Sequence, residues 1–160
     1  PFIALNVSAR QLEEPGLVER MLAQLDAHDL PRDRLEVEIT ESLVFKHSLI
    51  KHLIDECHAA GMEVALDDFG TGYSNLGPLL GLNFDRIKLD QSFTRSMDQP
   101  RGKAIVQAIV AMTRALGSEM IAEGVETQDQ LDTLRELDCE YAQGWLVGRP
   151  VSLQSVLDTD

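Results

Sequence analysis

The sequence predicts an α/β fold in which parallel strands alternate with returning helices, curled as a (β/α) barrel. Three observations predict it. First, six apolar, strand-like runs each end on a side chain suited to catalysis or metal binding: Phe2–Asn6, Leu35–Glu38, Val64–Asp68, Ile87–Asp90, Met120–Glu123 and Tyr141–Gln143. Second, Asn6, Glu38, Asp67, Lys88, Glu123 and Gln143 follow one another at intervals of 32, 29, 21, 35 and 20 residues, the spacing of strand–helix units. Third, the intervening segments carry helical periodicity. Parallel strands present their C-terminal ends on one side of a sheet, so these six residues should converge on one face, where barrels carry their chemistry. A doubly wound open sheet would instead gather ligands at a single switch point.

The elements read in order. After the first strand, Ser8-Ala-Arg-Gln11 is a capping box. An amphipathic helix follows between Leu12 and His28, with Leu17, Met21, Leu22 and Leu25 on its stripe. The second strand leads to a helix over about 47–60, aligning Ile50, Leu53, Ile54 and Cys57. The third strand runs into a loop in which Gly70 and Gly72 permit tight turns. Pro100 suits the start of a helix over 101–116 with Ile105, Ala108, Ile109, Met112 and Leu116 on one stripe. Thr127-Gln-Asp-Gln130 is a second capping box, ahead of Leu131, Leu134 and Leu137, and a last short helix spans Leu153–Leu157. A closed barrel of this kind has eight strands, so two are expected upstream of Pro1 and the chain reads as part of a longer polypeptide.

Composition narrows the function classes. The 160 residues carry a net charge of −13, which argues against binding DNA or RNA through a basic surface. Bound metal ions would still let an acidic protein hold phosphates. No run approaches the ~18 apolar residues of a membrane span, and no signal-peptide pattern is present, so a cytoplasmic location is expected. Cys57 and Cys139 lack metal-finger spacing and read as reduced core thiols.

Acidic pairs are the candidate chemistry. In Glu38-Ile-Thr-Glu41, strand alternation puts Glu36, Glu38 and Thr40 on one face and sends Glu41 elsewhere, into the following loop. Asp67-Asp68 precedes the glycine loop, Lys88 and Asp90 project to one side, and Glu123-Gly-Val-Glu126 repeats the acid pair. Carboxylates ~5 Å apart repel by roughly 3 kcal/mol per pair at an effective dielectric of ~20, so their convergence calls for cations. Carboxylate and amide oxygens at this density suit Mg²⁺ or Mn²⁺, and a carboxylate such as Asp67 could bridge two ions for attack on a phosphoester. Asp68-Phe69-Gly70 matches part of a kinase signature, but no His-Arg-Asp loop precedes it. His28, His47, His52 and His58 fall on helices, away from strand ends, and no serine-hydrolase elbow occurs.

Asn6-Val-Ser8, Glu38-Ile-Thr-Glu41, Asp67–Ser74, Lys88-Leu-Asp90, Glu123-Gly-Val-Glu126 and Gln143-Gly-Trp145 together resemble the successive signatures of EAL domains, bacterial phosphodiesterases that linearise cyclic di-GMP. The resemblance covers essentially residues 1–160 and implies a modified TIM-type (β/α)8 barrel with an antiparallel first strand, of which this chain supplies the last six strands. It implies hydrolysis of cyclic di-GMP to pGpG with two divalent cations, Mg²⁺ or Mn²⁺. Asn6, Glu38 and Asp67 would hold the first metal, and Asp67 would bridge to a second held with Asp68. Lys88 would position or activate the attacking water, Glu123 would serve the second metal or act as a base, and Gln143 would orient substrate or water. Glu41 would anchor the Asp68–Ser74 loop that links metal binding to dimerisation, with Asp90 and Glu126 in support. A homodimer and an upstream sensory or diguanylate cyclase domain are implied as partners. Two departures stand out: Ser74-Asn75-Leu76 replaces the common Ser-Ser-Leu, and the Glu-Ala-Leu tripeptide does not occur in these residues. The isolated chain is therefore expected to be inactive. A non-catalytic cyclic di-GMP receptor or a protein-interaction module is the alternative.

Overall fold

The fold was described from a computed structural model, which defines residues 2–72, 77–152 and 154–155. Among these residues a parallel sheet has strand order β1-β2-β3-β4-β5-β6, with β1 at Ile3–Asn6, β2 at Leu35–Thr40, β3 at Glu63–Phe69, β4 at Arg86–Leu89, β5 at Glu119–Ala122 and β6 at Tyr141–Ala142. Each strand pairs with its predecessor in sequence, as successive β/α units require. The sheet curls into a half-barrel. Arg86 on β4 lies 5.6 Å from the ring centroid of Phe2 beside β1, although three strand spacings of a flat sheet would separate them by ~14 Å.

The two faces of the sheet differ in character. Leu35, Val37 and Ile39 of β2, Val64 and Leu66 of β3, Ile87 and Leu89 of β4 and Met120 of β5 point outward and are buried beneath the helices. Their alternate neighbours, Glu36, Glu38, Glu63, Asp67, Arg86, Lys88, Glu119 and Glu123, line the concave side. The apolar core therefore sits between sheet and helices, and the interior of the curl is ionic.

Helix α1 (Ala9–Leu12) begins at the expected capping box, in which Ser8 and Gln11 hydrogen-bond each other's backbone N–H. The continuous helix expected from Leu12 to His28 is not formed. The chain breaks at Pro15-Gly16, where Gly16 adopts φ 72°, and α2 spans Leu17–Ala27 with Val18, Met21 and Leu25 buried. Helix α3 (His47–Ala59) buries the expected stripe of Ile50, Leu53, Ile54 and Cys57 and packs on β3. His47, His52 and His58 lie on α3, and His28 follows the last residue of α2.

Helix α4 (Gln91–Ser96) was not foreseen; Asp90 caps it through Ser92 N–H at 2.9 Å. Helix α5 (Pro100–Ala115) starts on the proline, but its buried stripe is Gly102, Val106, Val110 and Thr113. Ile105 and Leu116, assigned to the core from sequence, are each 40 % exposed. The apolar arc of this helix is wide, and the close approach to α4 helps select the buried face: a Cβ on Gly102 would meet the Ser96 carbonyl oxygen at 2.0 Å. Helix α6 (Gln128–Glu136) has the second capping box, and only Leu134 of its expected stripe is fully buried. The helix expected over Leu153–Leu157 lies largely outside the described residues, as does the loop over 73–76. Cys57 is buried, Cys139 is partly buried, and both are free thiols. No helix among the described residues is long and apolar enough to cross a membrane.

Candidate metal centre and active site

At the C-terminal ends of the strands one ammonium binds three carboxylates. Lys88 Nζ lies 2.7 Å from Glu38 Oε1, 2.9 Å from Asp67 Oδ1 and 3.0 Å from Glu123 Oε1. These partners come from β2, β3 and the end of β5, so the strand–helix repeat has delivered four of its terminal residues to one place. Asn6 joins through Glu38, whose Oε2 accepts from the Asn6 amide at 2.8 Å. Burial opposes a charge on Lys88, but the hydrogen bonds it donates to the three carboxylates outweigh this and hold the amine protonated far above the ordinary lysine range.

Asp68 arrives by a different route. Regular alternation would send adjacent Asp67 and Asp68 to opposite faces. Instead, the β3–β4 register shifts between Leu66 and Phe69, and Asp68 adopts φ 56°, a left-handed conformation uncommon for non-glycine residues. Asp67 Oδ1 accepts from the Asp68 N–H at 3.0 Å and fixes the kink. As a result Asp67, Asp68 and Glu123 each offer a carboxylate oxygen within 4.8 Å of the others. Burial followed by the Asp67 charge raises the Asp68 pKa, and burial raises that of Glu123, with Lys88 only partly offsetting it. Carboxylates packed this closely are a donor set for hard divalent cations, and the residues present fit such ions.

The remaining candidates surround the centre without entering it. The single-turn helix over Glu41–Leu43 directs Glu41 to the loop, where its Oε2 accepts from Gly70 N–H at 2.7 Å and Gly72 N–H at 3.2 Å. Glycine is required at Gly70, because its φ is +98° and a Cβ would sit 2.2 Å from the Phe93 ring. Asp90 is held as a carboxylate: burial would raise its pKa, but hydrogen bonds from Ser92 and Gln91 and the charge of Arg95 lower it. Glu126 pairs with Arg95 at 3.2 Å. Gln143 is exposed, its backbone tied to Ala122 O and Val125 N–H, and it lines a cleft of about 630 Å³ with Glu123, Trp145 and Arg149. Arg149 stacks over the Trp145 ring at 5.1 Å.

A second ionic layer beneath the first escaped sequence reasoning. Arg86 binds Glu36 and Glu63 through one guanidinium nitrogen and Glu119 through Nε at 3.3 Å. Parity held the signal, since Arg86 precedes Lys88 by two residues just as Glu36 precedes Glu38.

The chain matches the EAL domain family over residues 1–150. It belongs to that family. It is 39% identical to the cyclic di-GMP phosphodiesterase RocR of Pseudomonas aeruginosa over 159 residues, covering 98% of this chain and 40% of RocR. The EAL domain of Mycobacterium smegmatis DcpA superposes with a TM-score of 0.92 at 36% identity, over 98% of this chain and 71% of that domain structure. A cyclic di-GMP complex of the PaMucR phosphodiesterase superposes with a TM-score of 0.87 at 36% identity, over 97% of this chain and 64% of that one. The chain spans less than half the length of the curated relatives it matches, 19% and 27% for two of them. The half-barrel corresponds to the C-terminal part of the EAL fold.

Proposed function

We propose that this chain carries the metal-binding face of a cyclic di-GMP phosphodiesterase, which opens one phosphodiester of the cyclic dinucleotide to give linear pGpG in bacterial signalling. The convergence of Asp67, Asp68 and Glu123 within 4.8 Å beside the Lys88 ammonium carries the reading. Family membership, the name of RocR and the ligand of the PaMucR structure support the substrate.

Asn6, Glu38 and Asp67 would hold one Mg²⁺ or Mn²⁺, and Asp67, Asp68 and Glu123 a second. Bound there, such ions supply Lewis-acid polarisation of the phosphoryl oxygens and a more acidic water. Lys88 adds a fixed positive charge where negative charge grows on phosphorus oxygens, and it would orient the incoming water once cation binding draws one of its three carboxylate partners away from the ammonium. Glu123 either completes that second set or, made more basic by burial, accepts the proton that water loses on attack. Gln143, at the rim of the cleft, orients the dinucleotide. Glu41 tethers the loop that follows Asp68, so that Asp67 and Asp68 keep their kinked geometry.

The complete protein we take to be a cytoplasmic homodimer with an upstream sensory or cyclase domain. The bifunctional cyclase/phosphodiesterase MucR, of which this chain covers 23%, supports the cyclase domain in that reading. Two further strands would cover the edge of β1, where Phe2 and Ile3 are more than half exposed, and without them the chain would be inactive.

The test is release of pGpG from cyclic di-GMP by the full-length protein with Mn²⁺, repeated in excess chelator and with Asp67→Asn. Loss of most activity in both is expected, because an amide cannot neutralise two cations. Full activity in either would overturn the two-metal assignment. Tight binding of cyclic di-GMP without hydrolysis would make the protein a receptor.

A further inference from the structure

One side chain on β4 touches all five other strands or their ends. Arg86 contacts Glu36 of β2 and Glu63 of β3, reaches Glu119 of β5 at 3.3 Å, and lies 5.6 Å and 5.8 Å from the ring centroids of Phe2 before β1 and Tyr141 of β6. Lys88, one layer above, reaches carboxylates of the same three partner strands. The two layers are about 6.6 Å apart along β4, two residues at 3.3 Å each.

We propose that Arg86 is a positioning residue for the centre above it: by joining the other strands across the concave face, it sets the separation at which Glu38, Asp67 and Glu123 converge on Lys88. The inference rests on the metal-centre reading given above.

Three features support it. The apolar packing between sheet and helices lies on the opposite face and is non-directional, so it does not fix distances across the curl. Around β2 and β3 the concave neighbours are small, Ala4 opposite Glu36 and Ala65 opposite both Glu38 and Arg86, so little side-chain volume sets the spacing sterically there; Ile121, opposite Lys88, is the bulkier neighbour on β5. The anchor itself is specific. Glu36 is 1 % exposed, and among the described residues its second oxygen is buried without a hydrogen-bond partner. Such a carboxylate is stable there only through its charge-assisted bond to Arg86, and the planar guanidinium allows that bond in few orientations. Glu63 and Glu119 are 41% and 47% exposed and contribute less individually, but they extend the hold to β3 and β5.

The experiment compares Mn²⁺ affinity, by titration of the free-ion EPR signal, in full-length wild type, Arg86→Met, Arg86→Lys and a control, Val110→Ala. Val110 is buried in α5, in the apolar layer on the other face of the sheet from the proposed ligands. Supporting groups around metal ligands influence affinity by roughly 10- to 100-fold, so Arg86→Met should weaken Mn²⁺ binding at least tenfold. Arg86→Lys keeps the charge but loses the fork, and should weaken binding severalfold while keeping the fold intact if the methionine variant does not fold. Val110→Ala should lower the melting temperature and leave Mn²⁺ affinity unchanged. Wild-type affinity in Arg86→Met or in Arg86→Lys, or an equal loss in Val110→Ala, would overturn the positioning role. Wild type that binds no Mn²⁺ would overturn the metal-centre reading and this inference with it. Wild type that binds Mn²⁺ but leaves cyclic di-GMP intact would overturn only the phosphodiesterase reading, and weaker binding by the Arg86 variants would still support Arg86.

Discussion

Replacing Lys88 by methionine keeps an unbranched side chain one atom shorter and removes its charge. The ammonium lies 2.7–3.0 Å from three carboxylates, of which Glu38 is 6% exposed and Asp67 13% exposed at the side chain. At ~3 Å each direct attraction is roughly 5 kcal/mol with an effective dielectric of ~20, and desolvation cancels much of it. Removing one partner of a buried pair leaves the others uncompensated, at a net loss of about 3–5 kcal/mol. For a domain of this size each kcal/mol moves the melting temperature by roughly 2–4 °C, so Lys88→Met should melt about 6–20 °C lower in chelator. The same change takes the cluster of Glu38, Asp67, Asp68 and Glu123 from a formal −3 to −4. Divalent cations should therefore recover more stability in the variant than in wild type, while hydrolysis falls at least a hundredfold for want of a fixed cation at the phosphate. Calorimetry of both full-length proteins, with chelator and with saturating Mn²⁺, measures the first effect. Equal melts in chelator, or a smaller Mn²⁺ effect in the variant, would refute the account of Lys88 as the internal counterion.

Glu41→Ala should lower turnover severalfold while sparing Mn²⁺ affinity, since among the described residues its carboxylate accepts from the Gly70 and Gly72 backbone N–H groups of the loop; an equal loss of metal binding in Glu38→Ala and Glu41→Ala would contradict this. Gly70→Ala combines an unfavourable φ of +98° with a clash against Phe93 and should destabilise by about 1–3 kcal/mol, read in urea midpoints. Burial pushes the Cys57 thiol up to about 12 and that of Cys139 to about 11, from an ordinary 9.0. The folded state thus keeps these protons after the unfolded chain has released them. Their contribution to stability is complete below pH 9 and is lost as pH rises through 11 to 12. Thiol-reactive disulfide reagents should label neither cysteine at pH 8 until denaturant is added, and rapid labelling of native protein would disprove the assignment.

The strand ends were legible because two simple regularities, unit spacing and alternation, act together on them. Both gave Glu38, Lys88 and Glu123 one face, and alternation alone sent Glu41 away from it. The kink at Asp68 was not legible, since a register shift and a left-handed residue break the very alternation used to read the strand. Periodicity also misjudged α5, where Ile105 and Val106, or Ile109 and Val110, are equally apolar and the contacts with α4 and β5 decide which is buried. The break before α2 was visible in Pro15-Gly16 but was overridden by the amphipathic pattern on either side. Arg86 was not legible because it opens β4, at the opposite end from the C-terminal positions where barrels carry their chemistry.

The segregation of apolar and ionic side chains onto opposite faces has a consequence for how variation in this chain would be felt. On β2, Leu35, Val37 and Ile39 answer to the helices, whereas Glu36, Glu38 and Thr40 answer to charge across the curl. In a saturation library, alternate codons of one strand should then yield different defects. Substitutions at the odd positions would deplete the protein from cells, and many at the even positions would leave it abundant but silent. A plot of abundance against turnover along β2 would oscillate with a period of two residues, and the two traces would run out of phase.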